Sequence, residues 1–240
     1  MAGIILFDAL KGFVFLQLHF AVLAGLSVFL NKKMGLPGEL YRKMLHMVSV
    51  FSIMPIVIPS TYWVSSLLVC LMFMLEAYLG TKFTNIEKNV AMKQRKAGEQ
   101  QKSMLLLYGT YSLVTIVGWG LFGQKWIVIL SVLAWGVGDA VAALVGKRFG
   151  KHKISGSLIE GTKSIEGSVG MFLASFISVF VLYSRHTALS NIGFVVLVCF
   201  WIAVFSSLTE LFSKHGLDTV ACPIIAMVGF SVLSVAAGTI

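Results

Sequence analysis

Long apolar segments separated by short basic connections are the feature of this 240-residue chain that most restricts its fold. Hydrophobic residues make up 58% of the chain and charged residues 12%, whereas soluble domains carry about 45–50% and about 25%. A helix crosses a bilayer with about 20 apolar residues and satisfies its own backbone polar groups there. The sequence lacks the alternating apolar pattern of barrel strands, so helices are predicted to span the membrane.

The sequence contains eight such segments, which predict an all-α, polytopic transmembrane bundle forming a single domain over residues 1–240. The segments are 12–30, 44–59, 62–80, 104–122, 126–146, 165–183, 191–212 and 219–240. The second is short and contains Pro55 and Pro59, and the eighth is expected to be interrupted at Pro223. No basic stretch or cleavage site precedes the first segment, so it is expected to be a retained span.

The connections differ in their content of lysine and arginine, and this difference predicts the orientation in the membrane. Sixteen of the 19 basic residues lie in the first, third, fifth and seventh connections, leaving only Lys11, Lys125 and Arg185 elsewhere. The basic connections are therefore expected in the cytoplasm, with both termini on the opposite side. The net charge of +9 then reflects this basic face and not a nucleic-acid partner. Part of it, notably 82–102, is expected to contact anionic lipid headgroups.

Four acidic residues lie near the predicted cytoplasmic ends of spans. Asp139 lies about two turns inside the fifth span, Glu166 begins the sixth, Glu210 ends the seventh and Asp218 precedes the eighth. No acidic residue lies at an expected bilayer midplane. A site at one membrane face suits chemistry between a water-soluble reagent and a lipid better than transport across the bilayer.

Asp139 is the strongest single candidate for a functional residue. An ionised carboxylate within a span costs several kcal/mol unless it is paired or binds a metal. The alternative is a structural salt bridge to a basic residue of the same face. Ala142, Gly146 and Gly150 follow at intervals of about four residues, which lets a ligand or another backbone come close, and helix packing alone also explains that spacing.

The segment Lys163-Ser164-Ile165-Glu166-Gly167 introduces the sixth span and carries groups suited to phosphate. Ser164 is the expected N-cap, and a helix N-terminus offers free N–H groups and a positive dipole end to an anion. Lys163 adds a charge for a phosphate oxygen. Glu166 either binds a metal ion or complements the positive helix start.

A second basic motif, Arg42-Lys43-Met44-Leu45-His46, opens the second span. It places Arg42 and His46 one helical turn apart. Arg42 is able to fork onto a phosphate, and His46 is able to act as a base or as a hydrogen-bond partner. The alternative is that the basic pair only anchors the helix at the interface.

Taken together, these motifs resemble those of the membrane-bound polyprenol kinase family, which includes dolichol kinase, phytol kinase and CTP-dependent diacylglycerol kinase. The motifs, in the same order, are Arg42-Lys43-x-x-His46, Asp139-x-x-Ala142-x-x-x-Gly146-x-x-x-Gly150, Lys163-Ser164-x-Glu166-Gly167 and Asp218-x-x-x-x-Pro223. The resemblance implies transfer of phosphate from a nucleoside triphosphate, commonly CTP, to a lipid alcohol in the bilayer. The acceptor is a phytol or polyprenol type of alcohol or diacylglycerol, and a divalent metal such as Mg²⁺ is required.

The motifs and the resemblance predict three groups of site residues. The predicted catalytic residues are Asp139, Lys163, Arg42, Lys43 and His46. The residues predicted to bind the nucleotide phosphates are Gly146, Lys147, Gly150, Lys153, Lys163, Ser164 and Gly167. The residues predicted to hold Mg²⁺ are Asp139, Glu166, Glu210 and Asp218.

Two other functions stay open from the sequence. Phosphatidate cytidylyltransferases share the block of an aspartate, a ladder of small residues and Lys-x-x-Glu-Gly. Their closing signature resembles His-Gly-Gly followed by Asp-Arg and another Asp, whereas this chain has His215-Gly216-Leu217-Asp218-Thr219. A cation-coupled transporter would place its key acids near the midplane and show repeated halves, and neither pattern occurs in the sequence.

Overall fold

The computed structural model describes residues 1–83, 99–156, 159, 163–186, 192–213 and 216–236. Within these ranges the chain forms nine α-helices and no β-strand, which confirms the all-α prediction. The helices are α1 (Ala2–Met34), α2 (Gly38–Phe51), α3 (Ile53–Val57), α4 (Trp63–Phe83), α5 (Glu99–Val114), α6 (Lys125–Phe149), α7 (Ile165–His186), α8 (Ile192–Phe212) and α9 (Asp218–Ala236). A π-helical segment, Thr115–Leu121, continues α5.

The helices confirm the predicted polytopic transmembrane bundle. Within the described part of the chain, seven helical segments are long and apolar enough to cross a membrane, and Trp63–Leu79 is a shorter apolar helix. These eight correspond to the eight segments predicted from the sequence. The second span consists of α2 and α3 together.

The two predicted proline breaks have different outcomes. The second span has only a one-residue interruption, since α2 ends at Phe51, Ser52 keeps right-handed helical angles (φ −61°, ψ −18°), and α3 begins at Ile53. The predicted interruption of the eighth span is wrong, since α9 continues through Pro223. This proline lies in the second turn of the helix, where its missing N–H removes only one hydrogen bond, to a carbonyl of the first turn.

Helix α6 is at the centre of the bundle. In its most hydrophobic window 72% of the residues are buried, compared with 11% in α1. Helix α6 packs against α2, α3, α5, α7, α8 and α9. Because other helices surround it, all of its faces have to be apolar. By contrast, α1 lies at the edge of the bundle against α2, α3 and α4.

One end of the bundle has a polar cluster formed by the start of α1, the α3–α4 connection and the start of α6. Asp8 accepts hydrogen bonds from the Thr61 N–H at 2.9 Å and from the Lys11 ammonium at 3.1 Å. Lys125 donates to the carbonyl oxygens of Ile58 at 2.8 Å and Ser60 at 2.7 Å. Lys11 and Lys125 therefore lie at the same end, as the distribution of basic residues predicts.

The close approach of α2 to α6 depends on Gly136. A Cβ atom at this position would overlap both γ-methyl groups of Val50 and lie 2.9 Å from its Cβ. Val50 is buried and β-branched, so its side chain has little freedom to move away. The contact lies one turn from His46 on α2 and from Asp139 on α6, and it therefore sets the distance between the helices that carry these residues.

We expect Gly136→Ala to destabilise the protein by about 1–3 kcal/mol through overpacking against Val50. Thermal unfolding of the purified protein in detergent measures the effect. Val50→Ala in the same chain should restore much of the loss by making room for the methyl group.

Gly109→Ala is the matched control, because a Cβ there meets no atom within 4 Å and the helix loses a flexible residue. We expect its stability to be unchanged or slightly higher. Equal destabilisation by Gly109→Ala and Gly136→Ala would contradict the assigned role of the α2–α6 contact.

Candidate functional site

The central feature of the candidate site is an ion pair between α2 and α6. The Lys43 ammonium donates to Oδ2 of Asp139 at 2.7 Å, and Lys43 is only 5% exposed. The carboxylate itself keeps 18% of its side-chain surface exposed. The structure thus contains the salt bridge that was the alternative explanation for Asp139. Part of the Asp139 carboxylate nevertheless stays exposed at the protein surface. A structural role and a chemical role are compatible in this geometry.

His46 lies on the same side of α2 as Lys43, and it also contacts Asp139. Its Nε2 is 3.3 Å from Oδ2 of Asp139 and 3.2 Å from the carbonyl oxygen of Gly136. A carbonyl oxygen only accepts, so Nε2 carries a hydrogen and donates. His46 therefore donates from Nε2 to the Gly136 carbonyl oxygen beside Asp139, and this nitrogen does not serve as a base in this arrangement.

A second ion pair joins the loop before α7 to the end of α8. The Lys163 ammonium contacts the carboxylate of Glu210 and donates to the backbone carbonyl oxygen of the same residue at 2.9 Å. Glu210 is buried and lies in the last turn of α8, where its carbonyl oxygen also accepts from the Ser213 N–H at 3.2 Å. Lys163 thus neutralises the acid and caps the helix at the same time.

Trp135 belongs to the site and was missed by the sequence analysis. Its indole Nε1 donates to Oδ2 of Asp218 at 3.3 Å, and its ring meets the His46 ring edge-on at a centroid distance of 5.3 Å. Trp135 lies one helical turn before Asp139 on α6. The spacing of one turn from Asp139 could have indicated that Trp135 belongs to the site. A tryptophan in an apolar segment is, however, equally well explained as a core residue.

Three of the four predicted metal ligands lie in one region. Asp139 and Asp218 are both close enough to Glu210 to interact with it electrostatically. These carboxylates come from α6, α9 and α8, which are distant in sequence. The predicted convergence of acids from separate helices at one end of the bundle is therefore found for these three residues.

Glu166 has a different environment. Its carboxylate accepts from His152 Nδ1 at 2.7 Å and from the His152 backbone N–H at 3.2 Å. The loop between α6 and α7 folds back there, with a bridge between Lys153 and Ser164. Glu166 thus fastens this loop to the first turn of α7, a role that the sequence left open beside metal binding.

The small-residue ladder of α6 packs against the start of α7. A Cβ at Gly150 would overlap the carbonyl oxygen of Gly146 and lie 2.7 Å from Oγ of Ser164. A Cβ at Gly167 would lie 3.1 Å from the carbonyl oxygen of Ala142. Ser164 caps α7 as predicted, because its Oγ accepts from the Gly167 N–H at 3.2 Å. In this structure the ladder therefore serves close helix packing.

The remaining predicted basic residues lie around the outside of this end. Arg42 forms an ion pair with Glu39 one turn earlier and is close enough to Asp139 to interact with it electrostatically. Lys147 is 69% exposed and lies 4.0 Å from Glu39, and Lys153 is exposed on the loop. These side chains form a charged rim above the buried pairs. Most of the basic connection at 82–102 lies outside the described residues.

The acids suit a magnesium ion that is shared with a phosphate ligand. Among the described residues, no group of three or more His, Cys, Asp or Glu side chains is spaced to hold a metal ion. Magnesium prefers oxygen donors, and proteins often hold it with one or two carboxylates together with substrate phosphates. Asp139, Glu210 and Asp218 supply oxygen donors of this kind, and the assignment of a metal to them stays a prediction.

Two curated relatives match part of the chain. A phytol kinase of Synechocystis is 38% identical over 93 residues, which are 39% of this chain and 37% of that protein. A dolichol kinase of Schizosaccharomyces pombe is 36% identical over 81 residues, which are 34% of this chain and 14% of that protein. No protein-family model and no solved structure matches the chain. The resemblance to the polyprenol kinases is confirmed over this part of the sequence.

We expect single replacements within the central ion pair to be strongly destabilising, because each leaves one charge buried without its partner. Lys43→Met and Asp139→Leu should each lower the free energy of unfolding by about 3–5 kcal/mol. The double variant should lose much less stability than the sum of the two single losses, since both charges are then removed. Thermal and denaturant unfolding of the purified proteins in detergent measures this coupling.

Additive losses in the double variant would contradict a direct energetic coupling between Lys43 and Asp139. The pair Asp8→Asn and Asp139→Leu serves as the additive control, because these two acids lie at opposite ends of the bundle and share no contact partner.

Proposed function

We propose that the protein is a lipid-alcohol kinase that transfers the γ-phosphoryl group of a nucleoside triphosphate, CTP in our proposal, to a membrane alcohol. The observation that carries the proposal is the buried pair of Lys43 and Asp139, with Asp139 still partly exposed, surrounded by further acids and a rim of basic side chains. The similarity to a phytol kinase and a dolichol kinase supports the same reaction class. The acceptor is an isoprenoid alcohol of the phytol or polyprenol type, or diacylglycerol.

In the proposed reaction the acceptor hydroxyl lies next to Asp139. The hydroxyl oxygen forms a bond to the γ-phosphorus, the bond from that phosphorus to the β–γ bridging oxygen breaks, and the nucleoside diphosphate leaves. Asp139 takes up the hydroxyl proton, and the hydrogen bond from Lys43 holds its carboxylate in place, with His46 next to it. Phosphoryl transfer requires mainly positioning and charge neutralisation, which suits a site made of fixed charges.

The nucleotide phosphates are proposed to bind at the charged rim. Arg42 and Lys147 lie there, and Lys163 is close to the start of α7 with its capped N-terminus. Lys163 is paired with Glu210, so binding of a phosphate to this ammonium requires exchange of that ion pair. With Asp139 as the base, the oxygen donors of Glu210 and Asp218 would hold Mg²⁺, which supplies positive charge against the phosphate oxygens when bound.

The site is proposed to lie at the cytoplasmic membrane face. The excess of lysine and arginine in the connections of this end supports that orientation. A water-soluble nucleotide then approaches from the cytoplasm, while the acceptor stays in the bilayer. The second face keeps the small polar cluster of Asp8, Lys11 and Lys125, which holds helix ends together.

A labelling experiment tests the reaction directly. Purified protein is incubated with Mg²⁺ and γ-labelled CTP or ATP, together with phytol, geranylgeraniol, a polyprenol or diacylglycerol. We expect the label in one lipid class with CTP as the better donor. The kinase proposal would be wrong if no donor and acceptor combination gave labelled lipid. If a CMP-lipid then formed from α-labelled CTP and phosphatidate, the protein would be a cytidylyltransferase.

Asp139→Asn is expected to reduce turnover by roughly 10²–10⁴-fold, the range of a lost general base, since the amide cannot take up the proton. The variant keeps the size of the side chain, and membrane insertion should be normal. The measurement is the rate of labelled lipid formation per folded protein, with folding checked by gel filtration and thermal unfolding.

Asp8→Asn is the matched control for this variant. Asp8 is also buried and also holds a lysine ammonium, but it lies at the opposite end of the bundle. We expect Asp8→Asn to lower stability and to keep turnover per folded molecule. Near-normal turnover of Asp139→Asn would exclude Asp139 as the base.

A further inference from the structure

A pair of polar side chains lies on the outer surface of the bundle, away from the candidate site. The Gln17 amide of α1 donates a hydrogen bond to Oε2 of Glu76 on α4, and this contact is exposed. The neighbouring side chains of Val14, Leu18 and Leu75 are each more than half exposed. A glutamate and a glutamine therefore lie among aliphatic side chains on a surface that faces lipid in a membrane bundle.

The position of Gln17 along α1 places the pair well inside the bilayer. Gln17 follows Asp8, which contacts Thr61 at one end of the bundle, and precedes Lys32 in the last turn of α1. At 1.5 Å per residue it is about 14 Å from Asp8 and about 22 Å from Lys32 along the helix. The hydrocarbon core is about 30 Å thick, so this depth has no water and no lipid headgroup.

A carboxylate at this depth requires a partner that shields it from hydrocarbon. Among the residues that the structure describes, Gln17 is the only hydrogen-bond partner of Glu76, and no basic side chain pairs with it. Ionisable side chains within spans are costly and almost always face protein or a water-filled cavity. The exposed pair therefore indicates that this surface is covered by protein in the membrane.

The hydrogen-bonding groups left over by the pair fit a second copy of the same pair. The Gln17 amide has two N–H donors and uses one for Glu76, whose other oxygen, Oε1, has no partner among the described residues. Across a two-fold axis, Gln17 of each chain is able to donate its second N–H to the carboxylate of the other chain. Such an arrangement is self-complementary and closed, as in the commonest class of homodimers.

Helix α1 also has the shape that a close helix–helix contact requires. It is the least buried of the seven spanning segments. Ala21 and Gly25 follow Gln17 at four-residue intervals, and both are exposed. A Cβ added at Gly25 meets no atom within 4 Å. Small residues at this interval let the backbones of two membrane helices approach closely, which brings the polar groups beside them within hydrogen-bond distance.

We propose that two copies of this chain associate in the membrane through the face formed by α1 and α4, with Gln17 and Glu76 at the centre of the interface. The inference does not rest on the proposed kinase function. The candidate site is built from α2, α6, α8 and α9 of one chain, so each copy contains its own complete set of these residues.

The first test counts the copies in lipid. The full chain is labelled through a C-terminal tag and reconstituted into liposomes at decreasing protein-to-lipid ratios, and single-molecule photobleaching gives the dimer fraction. We expect the wild type to dimerise. The double variant Gln17→Leu with Glu76→Leu should raise the dissociation constant about tenfold or more, because two symmetry-related hydrogen bonds are lost. It should still fold, since no polar group is left facing lipid, and thermal unfolding checks this.

Asp8→Asn is the matched control for the double variant. Asp8 is also a hydrogen-bonded acid on α1, but it is buried at the end of the bundle. We expect this variant to lower stability and to keep the dissociation constant of the wild type. A wild type that is monomeric at every ratio, or a double variant that dimerises as tightly as the wild type, would overturn the proposal. Equal weakening by Asp8→Asn would do the same.

The second test adds bulk at the proposed crossing of the two α1 helices. Gly25→Leu should weaken the dimer about tenfold or more and leave the thermal stability of the monomer unchanged, because its Cβ meets no atom of its own chain. Gly3→Leu is the matched control, since Gly3 is also exposed and equally free of neighbours but lies at the far end of α1. Dimers that tolerate Gly25→Leu as well as Gly3→Leu would exclude this face of α1.

The third test identifies the partner in native membranes. Ala21→Cys is treated with a short bis-maleimide, and the mass of the product is measured. The described native cysteines, Cys70, Cys199 and Cys222, are buried, so their background reaction should be low. We expect a product of twice the mass of the chain, and none for Leu173→Cys on the outer surface of α7. Crosslinks of Ala21→Cys only to a protein of different mass would show another partner and overturn the assignment of a second copy.

Discussion

The buried pair of Lys43 and Asp139 is the interaction on which the other features of this end depend. Two charges within a membrane bundle are stable only when they neutralise each other and find hydrogen-bond partners. Lys43 is almost completely enclosed, and Nε2 of His46 lies 3.3 Å from the same carboxylate oxygen. The pair therefore fixes α2 against α6 in one register. Because Asp139 stays partly exposed, the same arrangement leaves a carboxylate available for chemistry.

The helices can hold this register because small residues let their backbones approach closely. Gly136 admits Val50 of α2, and Gly150 and Gly167 bring α6 and α7 together around the Ser164 hydroxyl. In a bilayer such close packing replaces the hydrophobic driving force that assembles soluble proteins. The central position of α6 then gives one helix contacts with nearly all the others, so groups carried by α2, α8 and α9 meet around its cytoplasmic half in the proposed orientation.

Each of the three acids of the site has its own partner, a lysine for two of them and an indole for the third. Asp139 is paired with a lysine, Glu210 with Lys163, and Asp218 with the indole of Trp135. The partners keep mutually repelling carboxylates in one region. The basic rim surrounds these acids on the polar side.

The class of fold and most of the candidate residues follow from the amino-acid sequence alone. Eight apolar segments of spanning length permit only helices in a bilayer, and Asp139 is conspicuous because charge is costly there. The sequence did not determine which groups touch, because contacts such as Lys43 with Asp139 join residues far apart in the chain. Trp135 and Gly136 read as ordinary core, and Pro223 reads as a break, although α9 loses only one hydrogen bond there. These points required the three-dimensional structure, since the pairing of charges and the closeness of helices are properties of packing between distant segments.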